Sequence, residues 1–323
     1  MAVLVTGLGY IGTALAGSLL DQGETVVGME NGFSTVPGAL ARLKARPRFH
    51  LVRGSVTSAR SIERAFDGAR VGTVFHLAAQ ASGHPQAAAP SYTERTNLVA
   101  PRLVFEAAAR HGVTRFVFGS SFRVYGDELA GTIDESRPYG RVSDLSHLSK
   151  IYAEKLLEML TWQHRLAVAS VRLGVVYGLG PAMKSDPRFL TVPNLFCLRA
   201  ARDEPLIVNP GARRPIGFVH LQDAVQALIL AAEHTEQPQA RAYNALSEVL
   251  TVGEVGATVA RIGQQRGLSV RVEGAGLGPA TRWRYASSLE AVGFRPTRTM
   301  AESLPEVLEY YLQSAGVEQG RVR

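Results

Sequence analysis

The opening residues, MAVLVTGLGYIG, hold three glycines at the spacing Gly7-Leu8-Gly9-Tyr10-Ile11-Gly12, between a β-branched run and a helix-like stretch. This feature constrains the fold most, because it requires a strand to turn sharply into the N-terminus of a helix. The first glycine permits the tight turn, the second lets backbone approach a pyrophosphate, and the third lets helix and strand pack closely. An acidic residue, Glu30, closes the next β-type run, where a carboxylate accepts hydrogen bonds from the adenosine ribose. Gly7, Gly9, Tyr10, Ile11, Gly12 and Glu30 are therefore candidate cofactor-binding residues. Glu30 favours NAD over NADP by repelling a 2′-phosphate, but arginines between 42 and 48 leave NADP open.

The alternation continues through the first half. Strand-like runs at 2–7, 25–30, 49–54, 71–79 and 115–121 alternate with helical patterns at 10–23, 37–46, 60–67, 96–111 and 147–164. Continuous apolar strands between helices predict an α/β fold, a Rossmann-type doubly wound parallel sheet covered on both faces. A further strand is expected within 166–178. Beyond about residue 180 proline and glycine become denser, which predicts a smaller C-terminal substrate-binding lobe. The boundaries read as residues 1–180 for the dinucleotide-binding part, to which 218–250 returns, and 181–217 with 251–323 for the lobe.

With 46% hydrophobic and 20% charged residues the chain can bury a large core. Its single cysteine, Cys197, allows neither a disulfide nor a thiol metal site, and the eight histidines show no ligand spacing, so no metal is expected. The formal charge of +7 is spread along the chain, which fits an anionic small molecule better than nucleic acid. No membrane span or signal peptide is read, and a cytoplasmic protein, monomeric or homodimeric, is the expectation.

Further motifs carry a resemblance. HLAAQAS (76–82), Asn97, FVFGSSFRVYGD (116–127), SKIYAEKL (149–156) and FVHLQDA (218–224) together resemble the extended short-chain dehydrogenase/reductase family, home of nucleotide-sugar epimerases and dehydratases. The resemblance implies a cofactor wall at Leu77, Ala78 and Ala79, a helix asparagine at Asn97, the serine that bonds the reacting oxygen at Ser121, and at Lys150 the lysine that holds the nicotinamide ribose. It also exposes departures. The family's tyrosine falls 25 residues after Ser121 and four before Lys150, and both counts land on Ser146. Ile216 stands where the nucleotide-sugar enzymes grip the diphosphate with arginine, and Val175 where they use asparagine; Arg213 and Arg214 lie close by.

Ser121, Lys150 and Ser146 thus form the candidate catalytic set, although an aliphatic hydroxyl is far less acidic than a phenol of pKa about 10. Alternative proton sources are His147, Tyr139, Tyr152, a water chain, or a phenol on the substrate itself. The last, with Met183, Phe189, Leu190, Val192, Leu195 and Phe196 as candidate pocket lining, is similar to the tyrosine-less ketoreductases of angucyclinone antibiotic pathways, such as simocyclinone biosynthesis. The resemblance then implies an NAD(P)H-dependent ketoreductase acting on a polycyclic aromatic polyketide, with substrate-assisted proton supply. The alternatives are a nucleotide-sugar epimerase or dehydratase and a non-catalytic dinucleotide-binding protein.

Overall fold

In the computed structural model, described for residues 1–323 except 83, 85, 210–212, 237, 275–281 and 321–323 and the side chains of 315–320, seven parallel strands form the central sheet. The chain runs β1 (Ala2–Thr6), α1 (Tyr10–Asp21), β2 (Thr25–Glu30), α2 (Pro37–Lys44), β3 (Phe49–Arg53), α3 (Ala59–Phe66) and β4 (Val71–His76). It continues through α4 (Pro90–Glu94), a π-helical turn (Arg95–Val99), α5 (Ala100–Arg110), β5 (Arg115–Ser121), a 3₁₀ turn (Phe122–Tyr125) and β6 (Thr132–Ile133). There follow α6 (Leu145–His164), β7 (Ala167–Leu173), β8 (Val175–Tyr177), α7 (Val192–Ala201), β9 (Leu206–Val208) and β10 (Ile216–His220). The last elements are α8 (Leu221–Glu233), β11 (Ala240–Ala245), β12 (Glu248–Leu250), α9 (Val252–Gln264), β13 (Val272–Gly274), β14 (Arg284–Tyr285) and α10 (Met300–Gly320).

The strand order is β11-β7-β5-β4-β1-β2-β3, so the chain reverses direction across the sheet between β1 and β4. Ligands of such sheets sit in the crevice at the carboxyl ends of the two strands flanking that reversal. Both faces are covered, as the uninterrupted apolar strands require. Leu15, Leu19, Ala224 and Leu228 of α1 and α8 pack on one side, and Ile62, Val104, Phe105 and Leu157 of α3, α5 and α6 on the other.

Two predicted elements divide, each for a local reason. The helix read over 96–111 becomes a π turn followed by α5, because Pro101 has no N–H to give the carbonyl of Asn97. The strand read over 166–178 breaks at Gly174, whose position a Cβ would bring within 2.8 Å of the Gly217 carbonyl. Beyond it β8 pairs in parallel with β10, which pairs antiparallel with β12, so these three strands leave the central sheet. Within 218–250, α8 packs on α1 and β11 adds an edge strand beside β7. The lobe has its own core of Phe196, Phe218, Val255, Val259, Leu304 and Leu308. Met183 and Phe196 are buried in that core and Leu190 and Val192 pack against it, so the apolar run 183–196 is largely lobe interior. Phe189 and Leu195 are half-buried. Among the described residues no helix is long and apolar enough to cross a membrane, and Cys197 is buried and unpaired.

Candidate active site

The glycine turn has the geometry its spacing implies. Gly7 adopts φ +81, and a Cβ there would lie 2.6 Å from the Ala78 backbone. A Cβ on Gly12 would lie 2.0 Å from the Gly7 carbonyl, so this glycine is what lets α1 start against β1. Gly9 caps α1 without any side-chain hydrogen bond, and a Cβ there would meet nothing within 4 Å. The first-turn amides of α1 are thereby left beside open space, an arrangement suited to an anion. Glu30 accepts the Leu8 amide at 2.7 Å and the Gly32 amide at 2.9 Å, which seats its carboxylate beside the turn. The nearby arginines are engaged elsewhere: Arg42 with the Pro181 carbonyl, Arg46 with Asp21 and Arg48 with the Gly23 carbonyl. Tyr10 points to the lobe, its hydroxyl donating to the Gly178 carbonyl, and Ile11 packs into the core under α1.

After β4, the Leu77 amide bonds the Thr6 carbonyl at 3.0 Å and carries residues 77–79, all half-buried, past Gly7. Asn97, in the π turn, clamps this loop. Its Oδ1 accepts the Gln80 amide at 2.8 Å, and its Nδ2 donates to the Gln80 carbonyl at 2.8 Å and to Ser149 Oγ at 3.1 Å. The Ser146 hydroxyl donates to that same carbonyl at 3.3 Å. The residue at the tyrosine position therefore ties α6 to the loop.

Ser121 ends β5 and caps the 3₁₀ turn, with Oγ accepting the Arg123 amide at 3.3 Å, and it is only half-buried. Lys150 is buried, donates to the Gly119 carbonyl at 2.6 Å and lies 4.7 Å from the Phe118 ring centroid. Burial pushes its ammonium down to about 8, against the opposing charge of Glu154. On β4, His76 is held neutral by burial and by the charge of Lys150, down to about 3, with Nδ1 2.8 Å from Thr6 Oγ1. Ser121, Ser146 and Lys150 are thus brought to the carboxyl ends of β4 and β5, beside the loop from Leu77 to Ala79. Two other predicted proton sources are turned aside: Tyr139 donates to Glu154 at 3.0 Å, and Tyr152 is 45% exposed.

Beneath these residues lies a buried polar network. Glu154 receives Arg172 at 2.7 Å, with side chains 4% and 6% exposed, and also the Ser120 hydroxyl. Arg172 further donates to the Tyr125 hydroxyl, and Tyr125 to Asn244 at 2.9 Å. The one signal in the sequence was an arginine inside the apolar strand AVASVRL. A separate groove of about 520 Å³ between α1, α2 and α8 is lined by none of the candidate site residues.

The profile of the NAD dependent epimerase/dehydratase family matches residues 3–245. The chain belongs to that family. Among its relatives, UDP-glucuronic acid decarboxylase 1 of Arabidopsis thaliana is 28% identical over 236 residues, covering 72% of this chain and 52% of the decarboxylase. The chain thus spans about half the length of that relative. The 3 beta-hydroxysteroid dehydrogenase/Delta 5-->4-isomerase of Mycobacterium tuberculosis is 29% identical over 356 residues, covering 96% of this chain and 90% of that one. Among solved structures, the UDP-glucose 4-epimerase of Thermus thermophilus in complex with NAD matches with 26% identity and a TM-score of 0.82, over 96% and 99% of the two chains.

Other matched structures bear names of the same kind, UDP-glucose and UDP-glucuronic acid 4-epimerases among them. These findings overturn the polyketide ketoreductase expected from the missing tyrosine: apart from the mycobacterial steroid dehydrogenase, these relatives and solved structures are nucleotide-sugar enzymes of the family.

Proposed function

We propose that the protein is an NAD-dependent enzyme acting on a nucleoside-diphosphate hexose, oxidising a ring hydroxyl so that the sugar can be epimerised or decarboxylated. The observation that carries this reading is the nearly full-length match to the Thermus UDP-glucose 4-epimerase in its NAD complex. The half-length match to a UDP-glucuronic acid decarboxylase supports the same substrate class.

The residues fit a dinucleotide. Only glycine fits at Gly7 and Gly12, and the space over Gly9 leaves the first-turn amides of α1 open to a pyrophosphate. Glu30 offers its remaining lone pairs to the adenosine ribose, and with Arg42, Arg46 and Arg48 engaged elsewhere the choice falls on NAD. Residues 77–79 and Lys150 hold the nicotinamide end. Bound there, the cofactor supplies a two-electron oxidant. Ser121 bonds the reacting oxygen, and the positive charge of Lys150 favours the developing alkoxide. With Ile216 and Val175 apolar, the charge for the diphosphate comes from the exposed Arg213 ahead of β10, while its neighbour Arg214 donates to the Asp127 carbonyl at 3.4 Å.

The test is to incubate purified protein with NAD and UDP-glucose or UDP-glucuronic acid and follow the sugar by proton NMR. A new epimer or a pentose product supports the reading. No product, together with no binding of UDP by calorimetry, would sink it.

A further inference from the structure

Ser146 leaves the tyrosine position with only an aliphatic hydroxyl, yet the next residue, His147, carries an imidazole. At 3.6 residues per turn, positions 147, 150 and 154 share one face of α6. Two of these meet the end of β5, Lys150 at the Gly119 carbonyl and Glu154 at the Ser120 hydroxyl. One turn towards the helix N-terminus the same face presents His147, while β5 runs on through Ser121 into the 3₁₀ turn that packs on α6.

The imidazole is held in one orientation. Asp144 caps α6, accepting the His147 amide through Oδ1 at 2.9 Å, and its Oδ2 lies 2.5 Å from His147 Nδ1. Partial burial opposes ionisation of Asp144. The hydrogen bonds from the ring and amide of His147 and the charges of His147 and Arg123 prevail, holding the carboxyl down at about 2. An ionised carboxylate can only accept, so Nδ1 carries the hydrogen in either charge state of the ring, and in the neutral ring Nε2 holds the free lone pair. Among the described residues Nε2 has no hydrogen-bond partner, and the ring is 19% exposed. Arg123, whose charge reaches Asp144, stands two residues after Ser121 and is itself paired with Asp127.

We infer that His147, oriented by Asp144, is the catalytic acid–base in place of the absent tyrosine, with Asp144 as its positioning residue. The inference rests on the nucleotide-sugar reading only for the identity of the alcohol. In the oxidation, the hydroxyl O–H bond breaks and its proton passes to Nε2 as the C–O bond becomes a carbonyl. The carbon-bound hydrogen leaves with its electron pair for a nicotinamide dinucleotide, the oxidant. The imidazolium so formed is stabilised by Asp144, and the same proton returns to oxygen when the carbonyl is reduced.

A readout independent of turnover is carbethoxylation by diethyl pyrocarbonate, mapped histidine by histidine by mass spectrometry. NAD at ten times its Kd should slow modification of His147 by about tenfold. With UDP-glucose as substrate, His147→Gln should lose about 10²–10⁴-fold in kcat with little change in KM, and added imidazole should restore part of it. Asp144→Asn keeps a good helix cap and should lose a smaller share of kcat. The proposal is overturned if NAD leaves His147 unprotected, or if His147→Gln keeps wild-type kcat. It is equally overturned if that variant binds NAD normally but imidazole restores nothing, the signature of a merely structural role. A wild-type protein that converts no UDP-hexose while NAD shields His147 would refute the sugar reading and support the dyad.

Discussion

Gly9 and Gly12 separate what the fold needs from what a ligand needs. Gly12→Ala places a methyl 2.0 Å from the Gly7 carbonyl, a backbone atom that cannot swing away, so α1 must shift against β1. Overpacking of this kind destabilises by about 1–3 kcal/mol or more. Gly9→Ala meets nothing within 4 Å, at φ −77, a value alanine adopts freely. Its stability penalty is confined to the weaker helix cap that alanine makes, about 0.5–1 kcal/mol. Its methyl nevertheless enters the space through which a pyrophosphate would reach the first-turn amides. Losing one charge-assisted hydrogen bond removes about 1.5–3 kcal/mol, or roughly 10- to 150-fold in Kd. Urea titration of the apoprotein gives the first quantity and NADH fluorescence titration the second. Gly9→Ala should therefore fold nearly as the wild type and bind NADH at least about tenfold more weakly. A Gly9→Ala protein with wild-type affinity would refute the placement of the pyrophosphate over Gly9.

Two more predictions concern the buried charges. Glu154→Leu strands the Arg172 guanidinium in the interior and should destabilise by about 3–5 kcal/mol, while Glu154→Leu with Arg172→Leu should recover most of the loss; an equal loss in the double variant, measured in urea, would show that packing rather than charge holds this region. Lys150 titrates near 8 in the folded protein, below its unfolded value, so between pH 8 and about 10.5 the unfolded chain binds more protons and the lysine's burial penalty is relieved as pH rises. Wild-type stability should therefore gain on that of Lys150→Met from pH 8 to 10, and parallel curves would disprove the depressed value.

Much of this site was legible in the sequence because it follows from local rules. The spacing Gly7, Gly9, Gly12 after an apolar run dictates a strand, a tight turn and a helix start, and the unbroken apolar strands dictate a sheet covered on both faces. Strands 25–30 and 115–121 have the bounds that their apolar runs define. Pro101 and Gly174 were visible too, but their effects depend on neighbours along the helix and across the lobe. A periodic pattern reports which face of an element is apolar, and it is silent on which polar group that face will meet.

The sequence by itself determined the dinucleotide-type fold, the glycine cradle, the place of Lys150 one turn beyond position 146 and the absence of a tyrosine there, since each is a matter of residue type and short spacing. Tertiary structure alone decided how the polar side chains are matched. It joined Ser146 to the Gln80 carbonyl, 66 residues away, Asn97 to the same loop, and Arg172 to Glu154 under the site. It also packed α6 against the 3₁₀ turn that follows Ser121. The reason is physical: a buried polar group must find a partner wherever packing brings one within about 3 Å, and which one that is depends on the whole fold.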